Sequence, residues 1–155
     1  MKDHFKNIFK YDAWANAEIV NCLAQMDTPP QKAISLMSHI INAQVLWLSR
    51  ITNVATDVKV WQDYDKNELP DKLKESSKNL IEFINTLDQE GLKKVITYTN
   101  TKGEKFESAL TDILNQLSHH SAYHRGQIAM LIKPLVGELP ITDYIHFARK
   151  IKNQK

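Results

Sequence analysis

The chain has 155 residues, 43% hydrophobic and 25% charged, the balance of an ordinary globular domain with material for one core. A formal charge of +2 is too small for the phosphate field of a nucleic-acid binder, and the longest apolar stretch, around Val45 to Leu48, is too short to span a bilayer. The single cysteine, Cys22, forms no intrachain disulfide, and the polar start Met1-Lys2-Asp3-His4 has no signal-peptide core; both point to the cytoplasm.

From Phe5 to Met26 apolar residues recur at helical intervals, which predicts a first amphipathic helix ended by Asp27-Thr28-Pro29-Pro30. Thr28 and Gln31 have capping-box spacing, so a second helix is expected from there to about Thr52. Its apolar residues cover most of the circumference, the mark of a helix with neighbours on several sides. Residues 53–66 lack a period and read as a connection whose Trp61 and Tyr64 pack on the helices. A third helix is predicted over about Glu68 to Asp88, with Leu69, Leu73, Leu80, Ile81, Ile84 and Leu87 as its apolar stripe. Val95 to Thr99, a turn at Asn100 to Gly103, and Lys105-Phe106-Glu107 read as a short hairpin. A fourth helix should run from about Ala109 to Val136, loosened near its end by Pro134 and stopped by Gly137. The tail from Pro140 is mixed and ends basic. The pattern is all-α: an antiparallel four-helix bundle with a short β-hairpin before the last long helix.

Six histidines stand at 4, 39, 119, 120, 124 and 146. On the fourth helix, at about 100° per residue, His120 and His124 fall in the middle of the apolar stripe of Leu110, Ile113, Leu117, Ile128, Leu131 and Leu135. His119 points to another side and reads as a bystander, and His4 and His146 as surface or packing residues. Burying two imidazoles one turn apart is costly unless their nitrogens find partners. An i,i+4 pair can share one ion, and His39 on the second helix faces inward to supply a third nitrogen. The competing reading makes each a core histidine bonded to a Ser, an Asn or a carbonyl. Cys22 reads as a small buried apolar residue, because no nearby base would activate it.

His120-Ser-Ala-Tyr-His124-Arg-Gly-Gln-Ile128, Tyr11-Asp-Ala-Trp14-Ala-Asn16, and the segment from His39 through Trp47 to Arg50 together resemble the DinB/YfiT-like family. The resemblance includes the hairpin ending at Phe106 and the trailing Gly137-Glu-Leu-Pro140-Ile-Thr-Asp143, and so spans nearly the whole chain as one domain, 1–155. It implies a four-helix bundle with a divalent metal on His39, His120 and His124, commonly a dimer. It also implies either a transferase or isomerase that uses a low-molecular-weight thiol, or a metal-dependent hydrolase. Pro134 departs from the uninterrupted helix expected of the family.

Three neutral imidazoles leave at least one position open on a nickel, zinc or iron ion, so water or a thiol can enter. A hydrolase usually adds a general base, and this chain has no His-Glu-x-x-His glutamate; Glu107, Asp112, Glu138 and Asp143 read equally well as surface or caps. Thiol transfer is therefore the preferred reading, with a hydrolase and a non-catalytic, metal-stabilised binding or stress-response module as alternatives. Tyr123 and Gln127 are candidates for pocket walls or for bonds to the outer histidine nitrogens. Arg125, on the far side of the helix, reads as an ion-pair or interface residue. No nucleic-acid or membrane partner is expected.

Overall fold

The computed structural model describes residues 1–152. The chain is mostly helical, with one small antiparallel sheet: α1 (Lys2–Gln25), α2 (Gln31–Thr52), α3 (Leu69–Thr86), α4 (Gln89–Leu92), β1 (Val95–Thr99), β2 (Lys105–Ala109), α5 (Leu110–Ile132) and α6 (Tyr144–Lys152). A 3-10 turn, Lys133–Leu135, follows α5.

Several boundaries differ from the sequence reading, each for a local reason. α1 starts three residues earlier, at Lys2 rather than Phe5, with Asp3 in its first turn, where a negative charge suits the helix dipole. Thr28 does not cap α2: Pro30 occupies the cap position, and the Gln31 amide reaches Asp63 instead of turning back. α3 stops at Thr86, and Asp88 opens the separate short α4 by accepting from the Gly91 N–H at 2.6 Å. The hairpin's second strand runs two residues further than expected, to Ala109, paired with Val95. Its turn closes through Gly103, whose φ of 82° suits a residue without a Cβ. α5 ends at Ile132 because Pro134 has no N–H to continue the ladder; Gly137 lies beyond the stop. The tail folds as α6 and packs Phe147 against Tyr11 and Trp14. The end of the basic tail, 153–155, lies outside the described residues.

The four long helices share two apolar clusters. One joins Ile19 and Leu23 of α1, Met37 and Ile40 of α2, Leu69 and Leu73 of α3, and Ile128 and Ile132 of α5. The other joins Phe5 and Phe9 of α1, Leu80 and Ile84 of α3, and Leu110 and Leu114 of α5, with Trp47 and Leu48 of α2 packed against them. The residues at each end fix the directions: α1 and α5 run one way, α2 and α3 the other. Two of the packed pairs, α2 with α3 and α1 with α5, are thus parallel, which departs from an all-antiparallel arrangement. The cause is the connection 53–68, which brings the chain back along α2 before α3 begins.

That connection is tied to one face of α2. Gln31 Nε2 and Ser35 Oγ both donate to Asp63 Oδ2, Tyr64 N–H donates to Ser38 Oγ, and Asn42 Nδ2 donates to the Gln62 carbonyl. Positions 31, 35, 38 and 42 follow the helical repeat, so a single stripe of uncharged polar side chains holds the segment.

Between the two apolar clusters lies a buried polar layer to which all four long helices contribute. Arg125 Nη1 donates to Asp12 Oδ1 at 3.0 Å and to Asn16 Oδ1 at 2.9 Å. Asn16 and Gln44 each donate to Asp12 Oδ2 at 3.1 Å, and Ser76 Oγ donates to Gln44 Oε1. Arg125 Nη2 donates to the Tyr11 hydroxyl, which in turn donates to the Thr142 carbonyl. Burial raises the Asp12 carboxyl above its ordinary range, and the Arg125 charge opposes it. With a permanent guanidinium on one oxygen and two amide donors on the other, the carboxylate is the form that fits this layer.

Candidate metal centre

The i,i+4 spacing on α5 sets the His120 and His124 rings side by side, with centroids 4.4 Å apart, and α2 brings His39 to within 4.8 and 4.9 Å of them. One ring nitrogen from each residue lies within 4.8 Å of the others, so the three histidines can hold a metal ion.

The outer nitrogens show how the rings are held. His39 Nδ1 lies 3.0 Å from the Val60 carbonyl. A carbonyl only accepts, so Nδ1 carries the proton and Nε2 presents a lone pair. His124 Nδ1 likewise donates to Gln127 Oε1 at 2.7 Å, leaving its Nε2 free. His120 Nε2 stands 2.9 Å from His39 Nε2. His120 therefore donates to that lone pair, and a cation held by the three rings would replace this proton. Outer bonds to a carbonyl and an amide oxygen are the support that metal-binding imidazoles usually have. The donor set fits a divalent transition metal.

Burial lowers the pKa of His120 to about 4, with further lowering from His124 and His39. Burial also lowers that of His39, against the Val60 hydrogen bond, which favours the charged ring. Between about pH 4 and the ordinary 6.5, the unfolded chain therefore binds more protons at His120 than the folded chain does. Metal-free protein should gain stability as pH rises through this window. Urea unfolding at pH 5 and 7 is expected to show a smaller pH difference in His120→Gln than in the unsubstituted chain; equal differences would remove His120 as the source.

The histidines do not lie in the middle of an apolar seam. Leu131 and Leu135 are exposed, and the buried line on α5 continues from Leu117 through Ser121, Arg125 and Ile128 to Ile132. His120 and His124 sit at the edge of that line, half-buried, while His39 is buried. Ser121 and Arg125 turn inward on α5 and displace the two histidines to the edge, which a polar and a charged residue do not announce in the sequence. Arg125 does form an ion pair, as one of its two readings had it, but inward on α1 rather than on an outer face.

Tyr123 is 65% exposed, so it does not line a closed pocket; its ring meets His124 edge-on at 5.1 Å. Trp61 packs on α2 as the sequence predicts, and it does so on a site residue: it stacks on His39 at 3.9 Å with the planes 6° apart while remaining 58% exposed. Val60, whose contribution is a backbone carbonyl, left no signal in the sequence. His119 is exposed and outside the cluster, His4 is exposed, and His146 stacks on Trp14. Cys22 is only half-buried, and burial raises its thiol pKa, the opposite of activation.

The DinB family model matches residues 1–154. Protein DinB of Bacillus subtilis (strain 168) is 22% identical over an alignment of 173 positions that covers 100% of this chain and 99% of the relative. No solved structure matches the chain. With the family model matched from end to end of the helical core and across the histidine cluster, the chain belongs to the DinB family.

Proposed function

We propose that this chain is a metal-dependent transferase that activates a low-molecular-weight thiol for attack on an electrophile, using nickel, zinc or iron held by His39, His120 and His124. The observation that carries the reading is the make-up of the cluster, three imidazoles with neither a carboxylate nor a cysteine among the described residues that form it. Such a set leaves a divalent charge uncompensated and a position for an outside ligand. A divalent ion held there would supply the charge that keeps an entering thiol as its thiolate at neutral pH, its proton passing to solvent; the sulfur–carbon bond then forms as the electrophile's leaving group departs.

The protein's own residues orient the donors. Val60 and Gln127 hold His39 and His124 with their lone pairs toward the shared centre, and Trp61 covers one face of His39. Attack by a thiolate needs no general base, whereas addition of water is helped by one, and no glutamate stands between His120 and His124. In the test, metal-loaded protein is mixed with glutathione or a related cysteine-containing thiol and an alkyl or aryl electrophile. Metal-dependent loss of free thiol, abolished by a chelator, is expected. Ester cleavage without thiol would replace this reading with a hydrolase, and bound metal with no turnover would replace it with a binding module.

We also infer one domain, 1–155, built as a four-helix bundle with a single crossover connection, working in the cytoplasm as a homodimer. The dimer reading is supported by α5, whose only Asp, Glu, Lys or Arg between Ile113 and Ile132 is the buried Arg125, while Tyr123, Met130 and Leu131 are exposed. An uncharged apolar helix face of this kind suits burial against its own copy. Sedimentation should give twice the 17.9 kDa chain mass, falling to one chain in Met130→Glu. A monomer at tens of micromolar would contradict the dimer.

A further inference from the structure

The far end of α2 carries a group that the histidine centre does not use. Arg50 lies half-buried in the last helical turn, its guanidinium 4.8 Å from the Trp47 ring centre and 5.7 Å from that of Tyr98. The two rings meet edge to face at 4.8 Å, so they hold the guanidinium in place. Among the described residues Arg50 has no ion pair. Glu107, across the hairpin, engages Thr97 Oγ1 at 3.3 Å instead.

The helix end does not occupy this cation. The Ser49 carbonyl already accepts from the Asn53 and Val54 N–H groups, and the Leu48 carbonyl from Thr52 Oγ1. Beside the guanidinium opens a cavity of about 330 Å³ whose walls include Ser49, Asn53, Thr97 and Thr99 and no acidic side chain. That is room for a small molecule, with a planar fork of N–H donors fixed at its wall.

We propose that this cavity is an anion site in which Arg50 takes the carboxylate or phosphate group of a small metabolite through paired N–H···O bonds. Aromatic packing orients the fork in advance, so little ordering remains when the oxyanion arrives. The site stands apart from the histidine centre: Arg50 follows His39 by eleven residues, roughly 16 Å along the helix.

The test is an NMR titration of the full-length ¹⁵N-labelled protein with sodium acetate and, separately, inorganic phosphate, against sodium chloride at equal ionic strength. Saturable shifts are expected at the Arg50 Nε–H and Trp47 indole N–H, with the Trp61 indole, beside His39, unmoved. The tighter of the two probes assigns the oxyanion class. Arg50→Gln should weaken binding at least tenfold, and Arg50→Lys, which keeps the charge without the fork, by an intermediate factor. Equal shifts with chloride, shifts that do not saturate, or unchanged affinity in either variant would overturn the assignment.

Discussion

Replacing His39, His120 or His124 with alanine is expected to strip the bound metal, whereas His119→Ala should retain it in full. The contrast is sharp because His119 and His120 are neighbours in sequence on the same helix, yet only His120 presents a nitrogen to the cluster. Loss of an outer hydrogen-bonding partner costs about 10- to 100-fold in metal affinity, and loss of a ligand should cost more. Gln127→Ala, which frees the outer nitrogen of His124, therefore belongs between His119→Ala and the ligand variants. Metal analysis after equilibration with zinc orders the five proteins. Equal loss in His119→Ala would mean that the helix face is misassigned, and full retention in any ligand variant would remove that residue from the centre.

The second large effect concerns stability. Arg125→Ala leaves the Asp12 carboxylate buried without its cation, a change that typically costs about 3–5 kcal/mol. For a chain of this length that lowers the melting temperature by roughly 10 °C. The pair Asp12→Leu with Arg125→Met should recover much of the loss, since apolar groups of similar size need no counter-charge. Thermal unfolding of Asp12→Leu, Arg125→Met and the double variant closes the cycle, with Arg125→Ala measured beside them. A cost below about 1 kcal/mol for Arg125→Ala, the scale of a surface ion pair, would mean that the Asp12–Arg125 pair is not buried between the helices. Because Ser121 and Arg125 alternate along α5 with His120 and His124, the layer also fixes the rotation of α5 that aims both rings at His39.

The elements that could be read from sequence are those that repeat. α1, α2, α3 and α5 are long enough for their apolar period to show, and the β-branched run at Val95 to Thr99 stands out as a strand. The histidine trio was legible because i,i+4 spacing is a local property and His39 lies on a helix whose buried residues are dense. What depended on chain reversal was not legible. Parallel packing of α2 and α3 follows from where the connection 53–68 lies, and its anchors are scattered polar side chains of α2 with no motif of their own. The inward turn of Arg125 is hidden in the sequence because a charged residue is ordinarily exposed, and its partner Asp12 lies more than a hundred residues away. The Asp12 and Asn16 positions of the first-helix motif were visible as a resemblance without their meaning: they are the acceptors that let Arg125 be buried.

The central claim is that three imidazoles grip one divalent ion and leave a place for a thiol. X-ray absorption at the metal edge of the purified protein, before and after addition of a low-molecular-weight thiol, tests it most directly. The prediction for a zinc-loaded sample is nitrogen donors at about 2.0–2.1 Å with no sulfur, and a new sulfur scatterer at about 2.3 Å once thiol is present. A first shell already closed by a further protein donor, or one that thiol leaves unchanged, would contradict it.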